Sequence, residues 1–117
     1  MSTVVHLRVV GAAELASGEA RSFAFERGGE TLEGFVLQHP SGLVAYLNRC
    51  PHFAVDLDMG DGRFYDPAVD RIYCKTHGAE FRVSDGYCDH GPCLGDALEK
   101  FEVQIDGADA LVHVGNP

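Results

Sequence analysis

Short runs of apolar and β-branched residues alternate with glycine-rich turns along the chain, and no segment keeps a helical period over four turns. This pattern predicts an all-β protein. Turns are expected where glycine, proline and aspartate cluster, as in Arg27-Gly28-Gly29-Glu30 and Ser84-Asp85-Gly86. Between such turns the sequence predicts strands over residues 4–10, 22–26, 32–38, 43–47, 71–74, 80–83, 100–105 and 110–114.

The composition changes between about residues 48 and 94, where aspartate, glycine, proline and all four cysteines concentrate. A loop-rich segment of this kind buries little apolar surface, so another interaction must hold it together. Metal binding is one such interaction, because its free energy becomes folding free energy. The sequence therefore predicts one domain over residues 1–117, with an antiparallel β-sandwich or barrel base and a loop-rich subdomain at about 48–95.

Composition and charge narrow the class of protein. The 117 residues suit a single domain, and no apolar run approaches the roughly 18 residues of a membrane-spanning helix. No secretory signal is visible, so a cytoplasmic location is expected. The formal charge of −9 argues against a nucleic-acid partner and favours a basic protein surface as the docking partner.

Two motifs combine a thiol with an imidazole: Cys50-Pro51-His52 and Cys74-Lys75-Thr76-His77. Two cysteines and two histidines could bind one zinc ion tetrahedrally. However, zinc knuckles usually pair like ligands, whereas each motif here pairs unlike ones. A two-iron, two-sulfur cluster accounts for the pairing better, with both thiolates on one iron and both imidazoles on the other.

These motifs, followed by Gly78, Phe81, Gly86 and Gly91-Pro92, resemble the Rieske iron–sulfur domain over roughly residues 43–105. The resemblance implies a [2Fe-2S] cluster in which Cys50 and Cys74 bind the inner iron and His52 and His77 the outer iron. It also implies that Gly91-Pro92 belongs to a loop covering the cluster.

The departures from the family pattern indicate a ferredoxin with a low potential. The disulfide-forming cysteines of the respiratory and photosynthetic branch are missing, and Ala79 and Phe81 replace a serine and a tyrosine that donate hydrogen bonds to sulfur. Fewer donors stabilise the reduced cluster less. We therefore expect a midpoint potential near the lower end of the roughly −150 to +300 mV range of this cluster type.

Cys88 and Cys93 flank the Gly-Pro loop and leave three interpretations open: a disulfide, spare ligands, or buried free thiols, the last being the default in a reducing cytosol. His90 is expected to be a solvated loop residue. His6, His39 and His113 have no ligand-spaced partner in the sequence and are expected to be ordinary surface or strand-edge residues.

The segment between Phe53 and Tyr73 contains Asp56, Asp58, Asp61, Asp66 and Asp70. It lacks the twelfth-position acid and the helices of a calcium loop. We expect either a solvated acidic loop or a docking patch for a basic partner.

The resemblance implies an electron carrier between a reductase and a terminal oxidoreductase such as a ring-hydroxylating oxygenase. No catalytic activity is expected from the protein alone. The alternative is a small Rieske subunit of a multi-subunit oxidoreductase, similar to a nitrite reductase. A sensor would need an effector element that the sequence does not show.

Overall fold

The computed structural model describes residues 5–51, 57–58, 62–75 and 78–115, and within them the chain is built from β-strands. The all-β class is confirmed. The ten strands are β1 (Val5–Val9), β2 (Ala20–Arg27), β3 (Glu30–His39), β4 (Gly42–Leu47), β5 (Tyr65–Asp66), β6 (Arg71–Tyr73), β7 (Glu80–Arg82), β8 (Cys88–His90), β9 (Lys100–Asp106) and β10 (Asp109–Gly115). One 3₁₀ turn, Ala12–Glu14, interrupts the loop after β1.

Six strands form the base sheet in the order β1-β10-β9-β4-β3-β2, with every neighbouring pair antiparallel. The hairpin of β2 and β3 turns at Gly28 and Gly29, both at positive φ, as two-residue hairpin turns require. The C-terminal hairpin joins this meander where Ala45 of β4 pairs with Phe101 of β9. The last strands therefore return to the middle of the sheet and close the base around the first half of the chain.

The second sheet is smaller and carries the candidate site. Its order is β5-β6-β7-β8, again antiparallel. Tyr65–Asp66 and Cys88–His90 were not predicted as strands from the sequence. Both are three residues long or shorter, so they are too short to show an alternating pattern, and pairing with the neighbouring strands β6 and β7 defines them instead.

The middle strands of the base separate two hydrophobic cores. Side chains alternate across a strand, so neighbouring residues face opposite sides of the sheet. Phe35 and Tyr46 point into one core with Cys50, Cys74, Cys88 and Cys93. Val36 and Ala45, one position away in each strand, point into the other core with the aromatic rings of β2 and β9. The base thus supplies one apolar wall of the cysteine-containing core.

Tyr46 shows how tightly the two sheets meet. Its ring is fully buried and its hydroxyl donates to the carbonyl oxygen of Val83 at 2.5 Å. Gly86, in the turn that follows, has φ +73, and a Cβ there would lie 2.7 Å from Tyr46 Cε1 and 3.3 Å from the Leu98 carbonyl oxygen. Glycine at this turn is therefore required both by the backbone conformation and by lack of space.

We predict that Gly86→Ala lowers the free energy of unfolding by about 3 kcal/mol or more, because overpacking adds to the cost of the left-handed backbone. Gly107→Ala is the matched control. Gly107 has φ +64, but a Cβ added to it would meet nothing within 4 Å, so its replacement should cost only about 1 kcal/mol. Denaturant unfolding measures both, and equal losses would contradict the packing argument.

Candidate metal centre

The two candidate thiolate ligands are buried at the ends of strands. Cys50 follows β4 after two residues and is 1% exposed, whereas Cys74 comes directly after β6 and is fully buried. Both belong to the same hydrophobic core. His52 and His77, the candidate imidazole ligands, lie outside the described residues. Among the residues that are described, no three histidine, cysteine or acidic side chains are arranged to hold a metal ion.

Backbone hydrogen bonds join the described ends of the second ligand loop, residues 74–79. The Cys74 N–H donates to the carbonyl oxygen of Ala79 at 2.8 Å, and the Gly78 N–H donates to the carbonyl oxygen of Cys74 at 2.8 Å. Gly78 has φ +71, a conformation that favours glycine. The sequence Cys-x-x-His-Gly therefore encodes a loop in which Cys74 faces the core.

A polar cluster, formed by the buried Asn48 and Asp58 with the exposed Glu33, joins the described parts of the first ligand loop, residues 48–62. The Asn48 amide donates to a carboxylate oxygen of Glu33 at 3.1 Å and of Asp58 at 3.2 Å, and it accepts the Leu57 N–H at 2.8 Å. Asp58 in turn accepts the Gly62 N–H at 3.0 Å. The side-chain amide of Asn48 thus connects the end of β4 to Leu57 and Asp58.

The expectation of a solvated acidic loop is wrong for Asp58, which is 3% exposed and hydrogen-bonded inside the protein. Asp56 and Asp61 lie outside the described residues. The role of Asn48 was also missed at the level of sequence, because nothing local marks an amide at the end of a strand as the partner of an aspartate ten residues away.

The two ligand loops lie side by side. The Lys75 N–H donates to the carbonyl oxygen of Leu57 at 3.0 Å, which joins the second loop to the first. Beneath them the rings of Phe35 and Phe64 stack with centroids 3.9 Å apart. Cys50 and Cys74 therefore approach one core from two mutually braced loops.

The proline loop, residues 91–95, packs closely against the second ligand loop. Gly91 has φ +104, and a Cβ on it would lie 2.7 Å from Ala79 Cα. Ala79 and Phe81 are fully buried in the core that contains the cysteines, and neither carries a hydroxyl group. Side chains at these two positions thus offer no O–H donor to a sulfur atom.

Cys88 and Cys93 are buried thiols, 0% and 2% exposed, at the base of the proline loop. Burial is the largest cause that raises the pKa of Cys93 above its usual range, and the neighbouring Cys88 and Cys50 side chains raise it further. His90 lies beside them on the surface, and its main-chain carbonyl oxygen accepts the Cys88 thiol at 3.3 Å.

The remaining histidines have partners that the sequence did not reveal. His6 and His113 stack with ring centroids 4.2 Å apart across the β1–β10 pair. His39 Nε2 lies 2.8 Å from an oxygen of Asp70, and the Tyr65 hydroxyl donates to the same oxygen at 2.5 Å. His39 thus joins the β3–β4 turn of the base to the small sheet.

The hydrogen bond to Asp70 and, as the next largest cause, burial raise the pKa of Tyr65 to about 12. Because the phenol ionises near pH 10 in an unfolded chain, the neutral form stabilises the fold below pH 10, and this stabilisation is lost between about pH 10 and 12. We predict that the difference in unfolding free energy between the wild type and Tyr65→Phe shrinks over this window. Asp70→Asn should move the ultraviolet titration of Tyr65 toward pH 10, and an unchanged titration would contradict the assignment.

The donor set fits an iron–sulfur cluster. Buried thiols are soft ligands, and cysteine thiolates are the usual ligands of such clusters. Two of them enter one core from braced loops, each loop carrying a histidine within three residues in the sequence.

Within the described residues, no helix has the length and apolar character needed to cross a membrane.

Comparisons with known proteins agree with this chemistry. Two solved structures align over nearly their whole length. The ferredoxin of carbazole 1,9a-dioxygenase from Nocardioides aromaticivorans IC177 is 28% identical, with 92% of this chain and 96% of that chain covered and a TM-score of 0.70. A chain from a complex of reduced oxygenase and oxidized ferredoxin in carbazole 1,9a-dioxygenase is 26% identical, with 96% and 95% covered and a TM-score of 0.71.

A third structure, from a reduced complex between oxygenase and ferredoxin in carbazole 1,9a-dioxygenase, shares the fold at 19% identity and a TM-score of 0.74, with 96% of this chain and 29% of that chain covered. No protein with a curated functional description matches the sequence. The family model for the Rieske [2Fe-2S] domain matches residues 6–104. The chain therefore belongs to the Rieske [2Fe-2S] domain family, whose cofactor is a [2Fe-2S] cluster.

Proposed function

We propose that this protein is an electron carrier that takes single electrons from a reductase and delivers them to a terminal oxygenase. The observation that carries the proposal is the pair of buried thiols, Cys50 and Cys74, on two braced loops of a Rieske chain. The near-complete alignment with the ferredoxin of an oxygenase system supports it, because that relative is a carrier of about the same length.

In this proposal Cys50 and Cys74 bind the inner iron, and His52 and His77 bind the outer iron. The bound cluster supplies a site that gains and loses one electron. The chain holds the two thiols away from water, and the Asn48–Asp58 contact keeps the first ligand loop in position. Neutral imidazole ligands lower the negative charge of the site and make reduction easier than with four thiolates.

The net charge of −9 supports a basic docking surface on the partner, because opposite charges raise the encounter rate. Asp66 and Asp70 lie at the β5–β6 turn, where they belong to the proposed acidic docking patch. The Asp70 carboxylate is 59% exposed although it accepts hydrogen bonds from the small sheet and the base. The whole chain would act as one cytoplasmic domain.

Stopped-flow experiments test the proposal: the protein is mixed with an oxygenase, and separately with a reductase, from the organism that encodes this chain. The reduced protein should be reoxidised by the oxygenase at a rate that falls as salt is added. The reductase should reduce it again. Failure to exchange electrons with any oxygenase, together with copurification in a fixed ratio with a larger oxidoreductase, would instead support the small-subunit alternative.

A second measurement tests the low potential. Because Ala79 and Phe81 offer no hydroxyl donor, we predict a midpoint in the lower part of the roughly −150 to +300 mV range. Voltammetry of the holoprotein gives this value directly. A midpoint well above the standard hydrogen electrode would contradict the prediction.

A further inference from the structure

Two cysteines that the proposed ligand set does not use lie together beneath the proline loop. The Sγ atoms of Cys88 and Cys93 are 3.0 Å apart, and both side chains are buried. A disulfide bond requires about 2.05 Å between the sulfurs. Closing this pair therefore requires a movement of about 1 Å, within the reach of side-chain rotation and a small shift of the loop.

The backbone holds the two residues opposite each other. The Cys88 N–H donates to the carbonyl oxygen of Asp96 at 2.8 Å, and the Gly95 N–H donates to the carbonyl oxygen of Cys88 at 3.2 Å. The Asp96 N–H closes the turn by donating to the carbonyl oxygen of Cys93 at 2.9 Å. Strand β8 and the turn after Pro92 thus direct both thiols inward.

The hydrogen atoms of the two thiols have different partners. Cys88 donates its hydrogen to the carbonyl oxygen of His90 at 3.3 Å. The Cys93 thiol then faces two sulfurs, those of Cys88 and Cys50. If Cys50 is a ligand, its sulfur is a thiolate and the stronger acceptor of the two. Cys93 would then give the cluster one weak sulfur hydrogen bond, because a thiol is a poorer donor than the hydroxyl groups absent at Ala79 and Phe81.

We propose that Cys88 and Cys93 are a redox-active dithiol that hydrogen peroxide closes to a disulfide, and that closure lowers the midpoint potential of the cluster. The formation of the disulfide does not depend on the cluster: it requires the two sulfurs to lie close together and one of the two thiols to ionise. Its effect on the potential rests on the proposed function, because it requires Cys50 to be a cluster ligand.

The reaction proceeds in two steps. One thiol loses its proton, its thiolate attacks a peroxide oxygen and the O–O bond breaks, which gives a sulfenic acid and a hydroxide that takes up the proton as one water. The second thiol then displaces the hydroxyl group from the first sulfur as a second water, and the S–S bond forms. The two sulfurs lose two electrons in total, the peroxide gains them, and both thiol hydrogens end in water.

Closure removes the thiol hydrogen of Cys93, which a thiolate at Cys50 would otherwise accept. Hydrogen bonds to cluster and ligand sulfurs stabilise the reduced, more negative state. The disulfide should therefore make the cluster harder to reduce, and the carrier would accept electrons less readily under oxidative conditions. A reducing dithiol would reverse the change.

Trypsin makes the disulfide directly measurable. Cleavage after Arg82 and Lys100 releases residues 83–100, which contain Cys88 and Cys93 and no other cysteine. The holoprotein is treated with peroxide at a dose that preserves its visible absorption, then denatured, alkylated and digested. We expect this peptide to lose two hydrogen atoms and to resist alkylation until dithiothreitol is added. A fully alkylated peptide, or loss of the cluster before the disulfide forms, overturns the proposal.

Voltammetry without a chemical reductant tests the coupling to the cluster. The midpoint of the peroxide-treated wild type should fall to that of untreated Cys93→Ala, which lacks the donor. Cys88→Ser keeps the Cys93 thiol but cannot form the disulfide, so its midpoint should not respond to peroxide. An equal midpoint for the dithiol and disulfide forms of the wild type overturns the coupling, and this comparison needs no variant. A failure here with the cluster intact leaves the electron-carrier proposal standing.

Discussion

Replacement of Cys74 by alanine should leave the protein without its cluster. Cys74 is fully buried at the end of β6, and no other thiol can take its place without rebuilding the second ligand loop. Iron content should fall from two per chain to near zero, and the visible absorption should disappear. Because metal binding contributes folding free energy, the small sheet should also unfold at a lower denaturant concentration.

Cys88→Ala is the matched control for this prediction. Cys88 is equally buried in the same core, so the change removes the same atoms from a similar environment. This variant should keep two irons per chain and its visible spectrum, with only the modest loss of stability that a small cavity causes. Loss of the cluster in Cys88→Ala, with retention in Cys74→Ala, would show that the ligand set is assigned wrongly.

Asn48→Ala should have the second-largest effect, on stability and on retention of the cluster. The change removes the acceptor of the buried Leu57 N–H and a donor to the buried Asp58 carboxylate. Each buried group left without a partner costs about 1–3 kcal/mol, so we expect a loss of about 3 kcal/mol in unfolding free energy. Iron should also leave this variant faster than the wild type when a chelator is added, because the first ligand loop is held less firmly.

Gln38→Ala controls for the removal of an amide. The Gln38 side chain makes one longer hydrogen bond, 3.3 Å to the carbonyl oxygen of Ala13, in a partly buried place away from the ligand loops. Its loss should cost about 1 kcal/mol and leave the rate of iron release unchanged. If Asn48→Ala releases iron no faster than Gln38→Ala, the polar cluster does not position the site.

Local pattern predicted the base of the fold well. The apolar runs within β3 and β4 and the glycines of the hairpin turns lie in the sequence itself, and the structure places strands there within one or two residues of the predicted ends. Strands β5 and β8 were not predictable, since two and three residues show no strand pattern and only pairing with the adjacent β6 and β7 defines them.

The candidate site could also be predicted from the sequence only in part. The spacing of the cysteine and histidine motifs identified Cys50 and Cys74, which the structure places in one core. The contacts that hold the loops, such as Asn48 to Asp58 and Lys75 to Leu57, join residues ten or more positions apart and have no local signature. The approach of Cys93 to Cys50 depends on the fold of the proline loop and was equally hidden.

Two thiolates and two imidazoles should together hold a diiron cluster, and both the electron-carrier proposal and the effect of the disulfide on the potential depend on that ligand set. Electron paramagnetic resonance of the reduced holoprotein, with nuclear couplings resolved, tests it most directly. We predict an average g value below that of clusters with four cysteine ligands, and couplings to two nitrogen nuclei that vanish when His52 and His77 are replaced. A spectrum with all-sulfur ligation, or a silent protein containing one zinc ion, would contradict it.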